Sequence, residues 1–173
     1  MKKSILNGKR LLGVDDEPDV LILLEEEMKD AGIKCHLDKA TTFEDASRKL
    51  ASEPYDLAIL DIMGVSGFDL LKIARSRDIP AVMLTAHALN PQALKRSIEM
   101  GARAYLPKDK LGEVVPYLED VLSHEPLTGW KRVFERLGKF FDLRFGVDWH
   151  KSEAEFWQEF NEKVGAEKWI VMR

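Results

Sequence analysis

The chain has 173 residues, a formal net charge of −4 and one cysteine, enough for one full α/β core of about 100–150 residues with about fifty left over. The acidic balance gives no global attraction to nucleic acid or an anionic membrane. Lone Cys35 excludes an intramolecular disulfide and a cysteine-rich zinc site, and no apolar run has the length of a membrane span or signal-peptide core, so a soluble, cytoplasmic protein is expected.

Residues 10–14, Arg-Leu-Leu-Gly-Val, form the first apolar run and end at Asp15-Asp16. Asp16-Glu17-Pro18 then opens a helix, with proline early and acids at the positive end of the dipole. Val20, Leu21, Leu24 and Met28 give it an apolar face, and Gly32 stops it. Residues 33–40 read as the second strand, with Cys35 a small apolar residue in it. Thr42, with Asp45 three later, resembles a capping box for a helix through Leu50, which Glu53-Pro54 ends.

Residues 57–60 are the most apolar strand and lead to Asp61. Ser66 or Gly67 begins a third helix carrying Phe68, Leu70, Leu71 and Ile73. Residues 81–84 lead to Thr85, and Asn90-Pro91 opens a fourth helix, Asn as cap and Pro at its first position, that Gly101 stops. Residues 104–106 precede Lys108, and a fifth helix spans residues 111–123. Five strands alternating with helices imply βαβ units around a buried parallel sheet.

That arrangement collects Asp15, Asp16, Asp61, Thr85 and Lys108 at the carboxyl edge, where open α/β sheets bind ligands. Carboxylates with a hydroxyl and an ammonium suit phosphoryl transfer onto a carboxylate. Asp61 is the acceptor, because it follows the most apolar strand and precedes Ile-Met-Gly rather than a helix cap. Asp15 and Asp16 complete an oxygen set for Mg²⁺, and Thr85 and Lys108 are donors for charge on the phosphoryl oxygens. Singly, each has a plainer reading: a solvated turn or cap for the acids, a turn residue for Thr85, a solvated Lys108. Their coincidence at four strand ends favours the site.

At these residues the chain resembles the receiver domain of two-component response regulators, over residues 8–123. Val14-Asp15-Asp16-Glu17-Pro18 is similar to the receiver's acidic pocket, Leu60-Asp61-Ile62-Met63 to its phosphoacceptor strand, and Leu84-Thr85-Ala86 to its switch threonine. Residues 101–108, Gly-Ala-Arg-Ala-Tyr-Leu-Pro-Lys, match its aromatic and lysine. The resemblance implies a flavodoxin-like, doubly wound sheet of strand order 2-1-3-4-5. It implies that Asp61 takes a phosphoryl group from a histidine kinase or a histidine phosphotransfer protein. Asp16, Asp61 and the Met63 carbonyl would hold Mg²⁺, with Asp15 acting through water. Thr85 and Tyr105 would move together as the switch, altering binding of a downstream protein partner. Met63 and His87 stand where side chains flank the attacking water in dephosphorylation; His87 reads equally well as an exposed loop residue.

Two departures stand out. Receivers place Pro directly after the lysine in a cis linkage, whereas here Pro107 precedes Lys108 and Asp109 follows. The loop from Asp61 to Gly67 is also shorter than usual and lacks its common Pro. A haloacid-dehalogenase-type phosphatase would share the aspartate nucleophile, but there the nucleophile follows the first strand and has an Asp two residues on as general acid/base. Here Met63 holds that place. The expectation is a signalling module whose only chemistry is its own phosphotransfer and self-dephosphorylation.

Residues 1–123 thus read as the receiver, 124–129 as a linker and 130–173 as a helical, aromatic-rich extension. Ten of the fifteen aromatics lie in the extension, including Trp130, Trp149, Trp157 and Trp169. Trp130, Val133, Phe134, Leu137, Phe140, Phe141 and Phe145 share one helix face. Phe156, Trp157 and Phe160 form a second, after a cap at Ser152 with Glu155 three later. Residues 131–144 carry five basic and two acidic residues, and 148–167 two basic and six acidic, so the two helices are expected to pair in charge. A helical hairpin over 128–162 follows, covered by the receiver's last helix, by a second subunit in a homodimer, or by a partner. Lys131, Arg132, Arg136, Lys139 and Arg144 keep a DNA-binding output in view, but residues 124–173 carry nine basic and nine acidic residues, a weak footprint for phosphate binding.

Overall fold

The computed structural model describes residues 3–165, and Trp169 lies outside them. Five parallel strands, β1 (Arg10–Val14), β2 (His36–Ala40), β3 (Leu57–Asp61), β4 (Ala81–Thr85) and β5 (Ala104–Pro107), pair in the order β2-β1-β3-β4-β5. The central strands β3 and β4 are buried at every position, which is why they read as unbroken apolar runs, whereas edge strand β2 is buried only at Ala40. The register sets Val14 beside Leu60, Asp61 beside Leu84 and Thr85 beside Pro107, so the polar residues that end these strands share one edge.

Helices α1 (Pro18–Asp30), α2 (Phe43–Ser52), α3 (Gly67–Ser76), α4 (Pro91–Glu99) and α5 (Val114–Ser123) connect or follow the strands. Pro18 and Pro91 sit at helix starts as their fixed φ favours, and Asn90 Oδ1 accepts from Ala93 N at 2.8 Å. Thr42 Oγ1 accepts from Asp45 N at 3.1 Å, but the Asp45 carboxylate turns to Lys49 at 3.0 Å and to Arg48, leaving half a capping box.

Three boundaries differ from the sequence reading. β2 begins at His36, not residue 33: Ile33 N bonds back to Met28 O and closes α1, while Lys34 is held by Gly8 and the Asn7 side chain. Cys35 is therefore a half-buried residue just before the strand. The fifth helix starts at Val114, because Lys108–Glu113 form a 3₁₀ turn that buries Leu111. The linker shrinks to His124 and Glu125, since Pro126 opens α6 (Pro126–Phe145) with proline again in its first turn.

Beyond Gly146, whose φ of +90° ends α6, a 3₁₀ turn over Trp149–Glu153 leads into α7 (Ala154–Val164). Ser152 is no cap; its hydroxyl donates to Trp149 O within that turn. Phe134 meets Trp157 and Phe160 with ring centroids 6.1 and 5.5 Å apart, and Trp130 meets Phe160 edge-on at 6.4 Å. This aromatic layer is continuous with the core of the sheet. Trp130 Nε1 donates to Ala102 O at 2.9 Å, and Phe141 lies 6.0 Å from Tyr105 of β5. The receiver half thus covers the centre of the aromatic layer, while Leu143 and Val147 stay exposed.

The expected pairing of charge between α6 and α7 gives way to pairing with the receiver half. Arg132 and Arg136 reach Asp120 of α5 at 3.4 and 3.1 Å, Arg144 reaches Asp109 at 2.8 Å, and Glu153 reaches Lys95 of α4 at 3.1 Å. The apolar faces of α6 and α7 take up the space between them, which leaves the charged flanks beside the receiver's side chains. No helix among the described residues is long and apolar enough to cross a membrane.

Candidate functional site

Asp15, one residue past β1, is fully buried: its N–H bonds to Ala40 O at 3.1 Å and its Oδ1 accepts from Glu17 N at 2.9 Å. Asp61 ends β3 at 3 % exposure, and Asp16 is open to solvent. One carboxylate oxygen from each of Asp15, Asp16 and Asp61 falls within 4.8 Å of the others. Lys108 follows β5 and places Nζ 2.8 Å from Asp15 Oδ2 and 3.3 Å from Asp61 Oδ1. Pro107 needs no donor of its own there; it ends the strand beside Thr85, and Lys108 leaves at the sheet edge with every described peptide bond trans.

The site is short of positive charge. Burial pushes the Asp61 carboxyl up to about 7, the neighbouring Asp15 adds to the rise, and Lys108 offsets part of it. Burial also raises Asp15 against the pull of Lys108 and the Glu17 N–H. For Lys108, burial lowers the pKa, but Asp15 and Asp61 outweigh it and hold the ammonium charged. Three carboxylates facing one ammonium make a donor set of hard oxygens that fits Mg²⁺.

Thr85 and Tyr105 are both completely buried. Thr85 Oγ1 accepts from Ala88 N at 2.8 Å, and Tyr105 OH donates to Ala88 O at 2.6 Å and accepts from Asn90 N at 3.2 Å. The structure therefore unites Asp15, Asp16, Asp61 and Lys108 in one cluster, with Thr85 and Tyr105 joined beside it through Ala88. Met63 is 51 % exposed, and His87 is also exposed.

Two glycines that sequence reasoning gave no role in the site are fixed by it. Gly64 has φ +87°, and a Cβ there would fall 2.6 Å from the Asp16 carboxylate. At Gly67 a Cβ would fall 2.1 Å from the Asp61 carbonyl oxygen, so the start of α3 rests on the acceptor's own backbone. The available signal was a pair of glycines three apart directly after the acceptor strand.

Residues 11–117 match the family model described as the response regulator receiver domain. The chain belongs to the response regulator receiver family. Among relatives of the receiver, the two-component response regulator ARR18 of Arabidopsis thaliana is 37 % identical over 105 residues, 58 % of this chain and 16 % of that one. ORR24 of Oryza sativa subsp. indica is 29 % identical over 168 residues, 93 % of this chain and 24 % of that one. The chain thus spans no more than 24 % of either plant regulator. The crystal structure of a putative response regulator from Chloroflexus aurantiacus superposes with a TM-score of 0.59 at 29 % identity, covering 68 % of this chain and 100 % of that one. A receiver domain protein from Methanospirillum hungatei superposes with a TM-score of 0.55 at 25 % identity, covering 66 % and 95 %. The family match ends before α6 and α7, and phosphorylation on an aspartate is what the family implies for the receiver.

Proposed function

We propose that Asp61 is the phosphoacceptor, receiving its phosphoryl group from a histidine kinase or histidine phosphotransfer protein, and that the modified chain switches its binding to a downstream protein. The observation that carries this is the buried Asp61 carboxylate, 3.3 Å from Lys108 Nζ and clustered with Asp15 and Asp16. An Asp61 Oδ attacks phosphorus as the P–N bond to the donor imidazole breaks, and the departing nitrogen takes up a proton. Lys108 and the Thr85 hydroxyl donate to the phosphoryl oxygens. Asp16, Asp61 and the Met63 carbonyl, with Asp15 beside them, would hold Mg²⁺, which would supply charge neutralisation when bound. Self-dephosphorylation then proceeds by water attack on phosphorus as the P–O bond to Asp61 breaks, releasing inorganic phosphate and the Asp61 carboxylate, with Met63 and His87 flanking the approach.

A cytoplasmic setting suits a phosphorylated switch with a single thiol. The DNA-binding reading is not favoured, because three of the five basic residues that kept it open are engaged by Asp120 and Asp109. The test is intact-mass measurement after incubation with acetyl phosphate and Mg²⁺. The parent chain gains one phosphoryl group, Asp61→Asn gains none, and Asp16→Asn needs more Mg²⁺. Undiminished uptake by Asp61→Asn would falsify the assignment of the acceptor.

A further inference from the structure

We infer that the α6–α7 extension is the element that reads Asp61, and that its docking and the phosphoryl group favour one another. The inference rests on the phosphoacceptor reading above. Two series of contacts lead from the acidic cluster into α6.

The first starts at Lys108, whose Nζ is 3.3 Å from Asp61 Oδ1. The next residue, Asp109, pairs with Arg144 Nη1 at 2.8 Å near the end of α6. Those two side chains are 61 % and 47 % exposed, so the pair acts as a tether of defined geometry and adds little binding strength.

The second series is buried. Thr85 and Ala88 share one hydrogen bond, Ala88 and Tyr105 share another, and the Tyr105 ring meets Phe141 of α6 at 6.0 Å and 54°. Tyr105 and Phe141 are both fully buried. Phe141 in turn stacks on Phe145 at 5.3 Å and meets Phe134 edge-on at 5.6 Å. A close-packed interior transmits such a displacement instead of absorbing it, so a shift of Tyr105 reaches the centre of the extension.

The contacts also give the direction. Thr85 uses Oγ1 as acceptor for Ala88 N, which leaves its hydroxyl hydrogen free to donate at the sheet edge. Lys108 is already beside Asp61 while Arg144 holds the neighbouring residue. Docked α6 therefore supports the residue next to Lys108 and the Tyr105–Ala88–Thr85 series, and through them the two donors that would meet a phosphoryl group on Asp61. Linkage makes the effect reciprocal: phosphorylation tightens docking, and loosening α6 weakens the phosphorylated state.

The experiment is hydrogen exchange over residues 126–164 of the full chain with Mg²⁺, with and without acetyl phosphate, occupancy being read by intact mass. At high occupancy, exchange should slow by at least about fivefold, the lower end of ordinary allosteric coupling. The Phe141→Leu variant, which keeps an apolar side chain in the core, should bind the phosphoryl mimic beryllofluoride several-fold more weakly than the parent. High occupancy with unchanged or faster exchange overturns the inference, and so does unaltered beryllofluoride affinity in Phe141→Leu. Absence of any uptake removes the phosphoacceptor reading itself, and the coupling with it.

Discussion

Thr85 and Tyr105 hold opposite ends of one residue: Thr85 Oγ1 accepts from Ala88 N at 2.8 Å, and Tyr105 OH donates to Ala88 O at 2.6 Å. The loop after β4 is therefore pinned from two strands at once. Thr85→Ala and Tyr105→Phe should each cost about 1–3 kcal/mol by leaving a backbone group of Ala88 without its partner. The double variant should lose less than the sum, by at least about 0.5 kcal/mol, because the two bonds support the same loop. Urea unfolding of the four chains gives the cycle, and strict additivity would show that the two side chains act independently.

Asp61 makes stability depend on pH and on metal in opposite senses. Its carboxyl stands near 7 in the folded chain, against about 3.9 in an unfolded one. Between those values the folded state holds the extra proton, so without metal stability falls as pH rises from about 4 to about 7, by at most about 4 kcal/mol. On the proposed function Mg²⁺ would bind the ionised carboxylates, and it should then raise the melting temperature more at about pH 8 than at about pH 5. Asp61→Asn should flatten the metal-free trend; a variant with the parent's slope would place the titration elsewhere.

Gly64→Ala tests the loop beside Asp16. The added methyl meets the Asp16 carboxylate at 2.6 Å and must accept a φ of +87°, at a cost of about 1–3 kcal/mol. Relief by moving Asp16 spoils the oxygen set, so Mg²⁺ affinity measured by calorimetric titration should drop several-fold. Parent-like affinity would mean that Asp16 moves without consequence for the ion.

The extension can be loosened one contact at a time. Trp130→Phe keeps an aromatic side chain but loses the indole N–H that bonds to the Ala102 carbonyl, costing about 1–3 kcal/mol. Trp157→Ala empties a fully buried site, costing about 3–5 kcal/mol. Truncation after Ser123 should leave a folded, phosphorylatable receiver of lower melting temperature, with Tyr105 newly exposed. A truncated chain that melts with the parent would show the aromatic layer to be energetically idle.

Much of this was readable before the fold. Each strand run ended where its chemistry began, because a buried parallel strand tolerates polar residues only at its ends, and so Asp15, Asp61, Thr85 and Lys108 stood out. Boundaries governed by distant partners were not readable. Residues 33–35 alternate apolar and polar as a strand does, yet Ile33 is spent closing α1 and Lys34 is held by residues 7 and 8. The sign of charge on α6 and α7 suggested mutual attraction, whereas their aromatic faces decided the contact and Asp120 and Asp109 took the arginines. Gly64 was missed because its role depends on how close Asp16 comes, a distance that no local pattern encodes.

Only His124 and Glu125 separate α5 from α6. A helix tied by so short a connection remains at a local concentration in the millimolar range or above, whatever the concentration of the protein. Undocking is then a brief excursion that reverses without diffusion, and an outside protein seeking the β5 face must compete with a ligand that never leaves. Selection can accordingly tune the resting occupancy of that face through single buried contacts such as Trp130–Ala102, with no change in the affinity of the competitor.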